Sequence, residues 1–323
     1  MAGCDPEWMD GLVAGRDYPR TLREFNGWFP DEEACLDYLV RLRWPGSFVC
    51  PRCGGGRAWR MSKGRNLRCA GCRADVSVTA GTIFADTRLP LTTWFAAAWE
   101  VCSQKPGVSA LGLKRVLGLG SYETAWSLLH KLRRAMVRPG RDQLAGELEV
   151  DESYAGRRLA AGKRGRGAAR KAIVAIAVEA LPAGAAGRIR LARIPDISQP
   201  VLTDFVSAVA EPGSVIYTDH SHSYNRLAEA GFIHYPTHIS ASPDPAHVAM
   251  PRVHRVSSLL KRWLLGTHHG GISARQLDFY LDEFTFRFNR RSSHHRGLLF
   301  YRLLEQATQL DHVPYTRLVG GRP

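Results

Sequence analysis

Four of the seven cysteines stand in two C-x2-C pairs, Cys50 with Cys53 and Cys69 with Cys72, separated by residues 54–68. Four thiolates on two tight turns suit one tetrahedral zinc ion, whose binding free energy can fold a unit too small to bury a core of its own. Cys4, Cys35 and Cys102 fit no such spacing and read as ordinary thiols. A second constellation is acidic. Asp151 lies in ELEVDESY and Asp219 closes SVIYTD, each behind an apolar or aromatic run that reads as a strand. A carboxylate at a strand end is costly to pack inside but well placed to hold a divalent cation in a polar cleft. Two of them on neighbouring strands can clamp a pair of Mg2+ or Mn2+ ions, one activating the attacking oxygen and one stabilising the leaving oxygen of a phosphoryl transfer. Either aspartate alone reads equally well as a turn or helix cap; the pair points to catalysis. Glu152, next to Asp151, should point to the opposite face of its strand and away from any metal. His220 and His222 read as turn histidines that could touch DNA or metal.

The elements that must position these groups follow from periodicity. Residues 1–48 form a helical lead-in, with Asp31 capping a helix through Cys35, Leu36, Leu39, Val40 and Leu42 that stops at Trp44. Residues 49–90 hold the cysteine hairpins, with Arg52, Arg57, Arg60, Lys63, Arg65 and Arg68 available for DNA. Residues 91–141 are helical. Thr92 or Thr93 caps one helix, Ser109 a second, and after a turn at 118–121 a third runs through Ala125, Leu128, Leu129 and Leu132. Two helices around a short glycine turn have the layout of a DNA-binding helix-turn-helix, and equally of a hairpin that only packs. Tyr122, Glu123, Ser127, His130 and Lys131 should be exposed on the third helix, with Tyr122 and Lys131 the leading DNA-contact candidates.

From 142 to 291 the pattern turns to strands, at 147–154, 171–179 and 187–194. A helix at 199–209, a strand at 214–219, a helix at 223–230 and a strand at 232–237 follow, then helices at 252–265 and 274–289. This is a mixed sheet with helices packed on it. Residues 292–323 complete the chain with a helix and tail. The fold class is therefore α+β and multidomain. Lys163, Arg164 and Arg166, in a Gly/Arg loop leaving the Asp151 strand, could track phosphates as easily as they could simply be solvated.

Lys and Arg total 44 against 30 Asp and Glu, a net charge of +14 and a pI near 9.8. That excess favours a polyanionic partner, which points to nucleic acid, although a merely basic enzyme has the same composition. The amino terminus lacks a signal-peptide pattern and no apolar run reaches transmembrane length. A cytoplasmic location without membrane contact is expected, where cysteine pairs mean metal rather than disulfides.

The chain also resembles bacterial insertion-sequence transposases of the DDE type that begin with a zinc ribbon, the ISXO-like group. The likeness rests on CPRCG, LRCAGC and VTAGTIFADTRLPLTTWF within 50–95, on VSALGLKRVLGL and YETAWSLLHKLRRAM within 108–136, and on ELEVDESYAG at 147–156. YTDHSHSY at 217–224, SLLKRWLLGTHHG at 258–270 and LDEFTFRFNRR at 281–291 extend it. The resemblance implies an RNase H-like catalytic domain, two Mg2+ or Mn2+ ions, one structural zinc, and recognition of terminal inverted repeats and target DNA. It also implies a homo-oligomer on paired ends and a nucleoid-associated bacterial setting. It makes Asp151 and Asp219 the first two metal ligands and puts Lys261, with Arg262, near bound DNA.

The third ligand, commonly Glu or Asn in that group, falls on His254, 35 positions after Asp219, a gap the family commonly shows. On a helix beginning at Pro251, His254, Ser258 and Lys261 share one face, while Val256, Leu259, Leu260 and Trp263 lie opposite and should pack on the sheet. Imidazole is a poorer Mg2+ ligand than carboxylate. A histidine that only meets DNA or solvent, and Asp244 or Glu283 as the third acid, therefore stay open. So does a catalytically inactive, transposase-derived DNA-binding protein.

Overall fold

The computed structural model of the chain describes residues 11–61, 64–138, 140–155, 171–237, 246–293 and 295–320. The chain divides into two compact units, Met1–Arg138 with Ser292–Val319, and Pro139–Arg291 with Gly320–Pro323.

The first unit opens with α1 (Leu22–Trp28) and α2 (Glu32–Arg43). Asp31 caps α2 as its sequence foretells, its carboxylate accepting the Ala34 N–H at 2.9 Å. Three short antiparallel strands follow in the order β1 (Ala58–Arg60), β2 (Asn66–Cys69), β3 (Asp75–Ser77). Then come α3 (Leu91–Ser103), α4 (Ala110–Val116) and α5 (Tyr122–Arg134). Ser109 and Ser121 cap α4 and α5 through hydroxyls that accept the Gly112 and Thr124 N–H groups. α3 begins at Leu91, ahead of the threonines that look like its cap. Glu32 at the start of α2 accepts the Leu91 N–H at 2.6 Å and also binds Arg65, so the cap comes from a distant part of the chain.

The second unit is built on a five-stranded sheet of β4 (Glu147–Ala155), β5 (Ala172–Ala180), β6 (Ala186–Ile194), β7 (Val215–Asp219) and β8 (Ile233–Thr237), in the order β6-β5-β4-β7-β8. β4, β5 and β6 form an antiparallel meander, and β7 and β8 run parallel to β4. Three hairpin-linked strands extended on the first strand's other side by two parallel ones is the RNase H-like sheet. One face of it packs Leu148, Val150, Ala175, Ala177 and Ile216 against α6 (Gln199–Val209), and against Tyr224 and Leu227. The other buries Val174, Ile176, Val178, Ile189 and Leu191 on the side of α8 (Pro251–His268) and α9 (Leu277–Asn289), which follow the short α7 (Ala246–Ala249). The helix expected over 223–230 is instead a 3-10 turn, His222–Tyr224, followed by further turns. Tyr224, Leu227 and Phe232 all drop into the core, and closing that short loop on the sheet leaves no room for a regular helix.

The chain then completes the first unit with α10 (Arg296–Ala307) and α11 (Tyr315–Val319). Phe300 on α10 lies within 5.5–5.8 Å, ring to ring, of Phe25, Phe29, Phe95 and Trp99. Gly297 permits this docking, since a Cβ there would fall 1.7 Å from the Pro19 carbonyl oxygen. Among the described residues, no helix is long and apolar enough to cross a membrane.

Candidate active site and zinc centre

The two cysteine turns are near copies of one another. In the first, the Cys50 N–H donates to Gly55 O and the Gly54 N–H to Cys50 O; in the second, Cys69 N–H donates to Ala74 O and Arg73 N–H to Cys69 O. Both need a left-handed residue after the second cysteine. Gly54 meets this freely at φ 72°, whereas Arg73 adopts φ 61° at a cost of about 1–2 kcal/mol and lays its guanidinium 5.2 Å from the Trp59 ring. The four sulfurs lie within 4.8 Å of one another, with Cys50–Cys72 at 3.7 Å and Cys53–Cys69 at 3.6 Å. Zinc–thiolate bonds of about 2.3 Å in a tetrahedron require sulfurs about 3.8 Å apart, so the set fits zinc. Its electrostatics are those of a cation site. N–H groups of Cys72 and, against burial, of Gly71 aim at Cys69 and draw its thiol down to about 6. At Cys53 the Gly55 N–H is outweighed by the three neighbouring sulfurs, which push it up to about 12. Trp44 and Phe48 pack on the cluster and shelter it.

The ribbon's basic residues are partly spoken for. Arg60 pairs with Glu33 and Asp37, Arg65 with Glu32, and Arg68 with Asp75, whereas Arg52 and Arg57 are exposed; Lys63 lies outside the described residues.

In the second unit, β4 and β7 pair with Glu149 opposite Tyr217. Two residues further along each strand, that register puts Asp151 level with Asp219 on the same face. Burial, and then the charge of Asp219, raise the Asp151 carboxyl to about 6 against the opposing pull of the Glu152 N–H and Lys261. Like charges crowded out of water are what a divalent cation relieves. His254 sets its Nδ1 3.8 Å from Asp151 Oδ2.

The approach of His254 to Asp151 is fixed by clamps on either side. α8 has no side-chain cap of its own, and Glu149 of β4 provides one: its carboxylate accepts the Arg252 and Val253 N–H groups and the Arg252 guanidinium, each at 2.8 Å. Two residues beyond Asp151, Ser153 Oγ meets Ser257 Oγ at 2.7 Å. Glu149, Asp151 and Ser153 thus face Arg252, His254 and Ser257 in step. Sequence reasoning passed over Glu149 and Ser153, although their alternation with Asp151 was the signal.

The buried stripe of α8 is Val253, Val256, Ser257, Leu260 and Leu264. His254 borders it rather than opposing it, and Leu259 and Trp263 are only half-buried. Glu152 pairs with Ala175 and so shares the face of Tyr224, opposite Asp151, as strand alternation requires. Its carboxyl is raised to about 7 by burial and by the charges of Asp151 and Asp219. The fully buried Tyr224 hydroxyl sits beside it, and neither Tyr224 Oη nor Glu152 Oε1 makes a well-formed hydrogen bond.

Among the described residues, the cysteine set is the one group of three or more His, Cys, Asp or Glu side chains placed to hold a metal ion, its ligand atoms within 4.8 Å of one another. Lys261 and Arg262 are exposed on α8, with Lys261 near enough to act on Asp151. His220 and His222 are exposed. Glu283 is buried on α9, 3.8 Å from Arg287. Lys163, Arg164, Arg166 and Asp244 lie outside the described residues. On α5, Tyr122 is 47% exposed and Lys131 half-buried, but His130 is fully buried rather than exposed, because it stacks on Trp126 one turn earlier at 3.7 Å.

Comparison with known proteins follows the same division. A search of curated proteins returns no match. Among solved structures, the catalytic core domain of BIV integrase is similar at 12% identity and a TM-score of 0.30, over 54% of this chain and 94% of that one. The family model described as the transposase zinc-ribbon domain matches residues 30–75, and that described as the ISXO2-like transposase domain matches residues 143–289. With the cysteine centre inside the first match and the paired aspartates inside the second, the chain belongs to the zinc-ribbon-bearing, ISXO2-like DDE transposases.

Proposed function

We propose that the chain cuts DNA at the terminal inverted repeats of its own element and joins the freed ends to target DNA. The observation that carries this reading is the alignment of Asp151 with Asp219 on adjacent parallel strands, with His254 held against Asp151 by the α8 clamps. Asp151, Asp219 and His254 would hold Mg2+ or Mn2+, which when bound supplies Lewis-acid activation of the attacking oxygen and charge for the leaving one. The chain's own part is to orient. The strand register fixes the two carboxylates, and α8 aims the imidazole while Lys261 adds positive charge beside the acids. Water is the first nucleophile and a DNA 3′-hydroxyl the second. The ribbon, the α4–α5 pair and the +14 net charge supply DNA affinity, as a homo-oligomer bridging paired ends.

The test uses labelled terminal-repeat DNA with Mg2+ or Mn2+. Asp151→Asn and Asp219→Asn should each end cutting and joining and leave end binding intact. His254→Ala should do the same, with His254→Glu restoring activity in Mg2+. Near-normal joining by either aspartate variant refutes the site, and binding without any product from the unaltered chain refutes the catalytic reading.

A further inference from the structure

β7 and β8 place Tyr217 opposite Tyr235 and Asp219 opposite Thr237. Side chains alternate along a strand, so Tyr217, Tyr235 and Ile233 share the face that carries Asp219 and, through the β4 register, Asp151. α8 and α9 cover that face over β4, β5 and β6. Over β8 the described residues leave it open: Ile233 is 50% and Tyr235 53% exposed, while Ile216 and Thr218 are buried on the opposite face. The two tyrosine rings stack at 5.6 Å with 21° between their planes. A third ring can extend the stack from the exposed Tyr235. Pro236, next in β8, lacks an N–H and blunts this outer strand against pairing with another strand, which leaves the ring faces as the feature open to a partner.

Tyr217 precedes Asp219 by two residues, about 6.6 Å along the strand. A DNA strand whose phosphate lies at the two aspartates therefore brings a neighbouring base to the rings. We propose that Tyr217 and Tyr235 form a stacking ledge for an unpaired base next to the phosphate held at Asp151 and Asp219, an inference that rests on the DNA-cutting reading above. Every base offers a π face, so the ledge is indifferent to sequence and selects single-stranded over paired DNA at this point. The net charge of +14 supplies attraction to the backbone, and the ledge supplies register.

Two duplexes of equal length, one blunt and one with a three-nucleotide 3′ overhang carrying 2-aminopurine, are titrated without added Mg2+ so that no cutting intervenes. The full-length protein should favour the overhang duplex and stack its 2-aminopurine, seen as quenching. Tyr235→Ala, and Tyr217→Ala with Tyr235→Ala, should reduce that preference by about ten-fold, the scale of one base–aromatic stack, while blunt-end affinity and melting temperature hold. Tyr235→Phe and Tyr235→Trp should keep both preference and quenching. A natively melting Tyr235→Ala protein with unchanged preference and quenching overturns the ledge. So does an unaltered protein without preference, or a double variant that changes only the protein's own sedimentation, which would mean that the face seats a second copy. Failure of the cutting reading registers elsewhere, as a catalytically active Asp151→Asn.

Discussion

Replacing Glu149 by Ala removes the carboxylate that both caps α8 and holds Arg252. The side chains are 4% and 19% exposed, and three hydrogen bonds of 2.8 Å are lost together. Losing one partner of a buried ion pair costs about 3–5 kcal/mol. Arg252 keeps the Ala185 and Leu181 carbonyls as acceptors, which puts the expected loss at the low end, about 3 kcal/mol. For a domain of this size that lowers the melting temperature by about 6–12 °C. Glu149→Gln keeps an acceptor for the helix and should lose about half as much. Calorimetry measures the shift, and hydrogen exchange over α8 localises it, because two freed N–H groups loosen the first turn that carries His254. DNA cutting should fall in parallel in both variants. A Glu149→Ala protein that melts within about 1 °C of the unaltered chain, with α8 amides exchanging at the original rate, would refute the clamp.

Elemental analysis should find one zinc per chain. Cys69→Ser should lose the metal and unfold the β1–β3 ribbon, whereas full zinc in a Cys50→Ser/Cys69→Ser protein would exclude this ligand set. Protein that keeps its zinc but is free of Mg2+ and Mn2+ should lose stability as pH rises from about 4 to about 7, because folding raises Asp151 from the usual 3.8 to about 6 and Glu152 from 4.5 to about 7. The folded chain binds the extra protons in that window, so both contributions are whole below it and gone above it. Melting across pH should show the decline in the unaltered chain, a flatter profile in Asp151→Asn/Glu152→Gln, and recovery at pH 7.5 on adding Mn2+; a flat profile in the unaltered chain contradicts the burial of these acids.

What the sequence revealed was whatever is encoded locally. The cysteine spacing, the caps at Asp31, Ser109 and Ser121, and the strands ending in acids all depend on residues a few positions apart. The misreadings share a long-range cause. α3 starts early because Glu32 reaches its first N–H, and the segment after His222 abandons its helix to bury Tyr224 and Leu227. His130 looked exposed by periodicity, but its stack on Trp126 takes it inside. The face drawn for α8 was offset because Ser257, a polar residue, is buried by a hydroxyl partner on β4 that no helical wheel contains.

The placement of Phe300 bears on how the protein is made. The first unit is discontinuous in sequence, with α10 supplying a ring to the aromatic cluster of α1 and α3 only after the whole second unit has been translated. At about 5–20 residues per second, roughly 10–30 s separate synthesis of residue 138 from that of Phe300. During that interval the nascent chain carries a zinc ribbon and helices whose shared apolar surface waits for its last helix. The sheet of β4–β8 with α6, α8 and α9 can already close behind it. A chain ending just before α10 would therefore hold every element of the β4–β8 unit beside an incomplete amino-terminal unit, the reverse of the order in which the two begin to emerge.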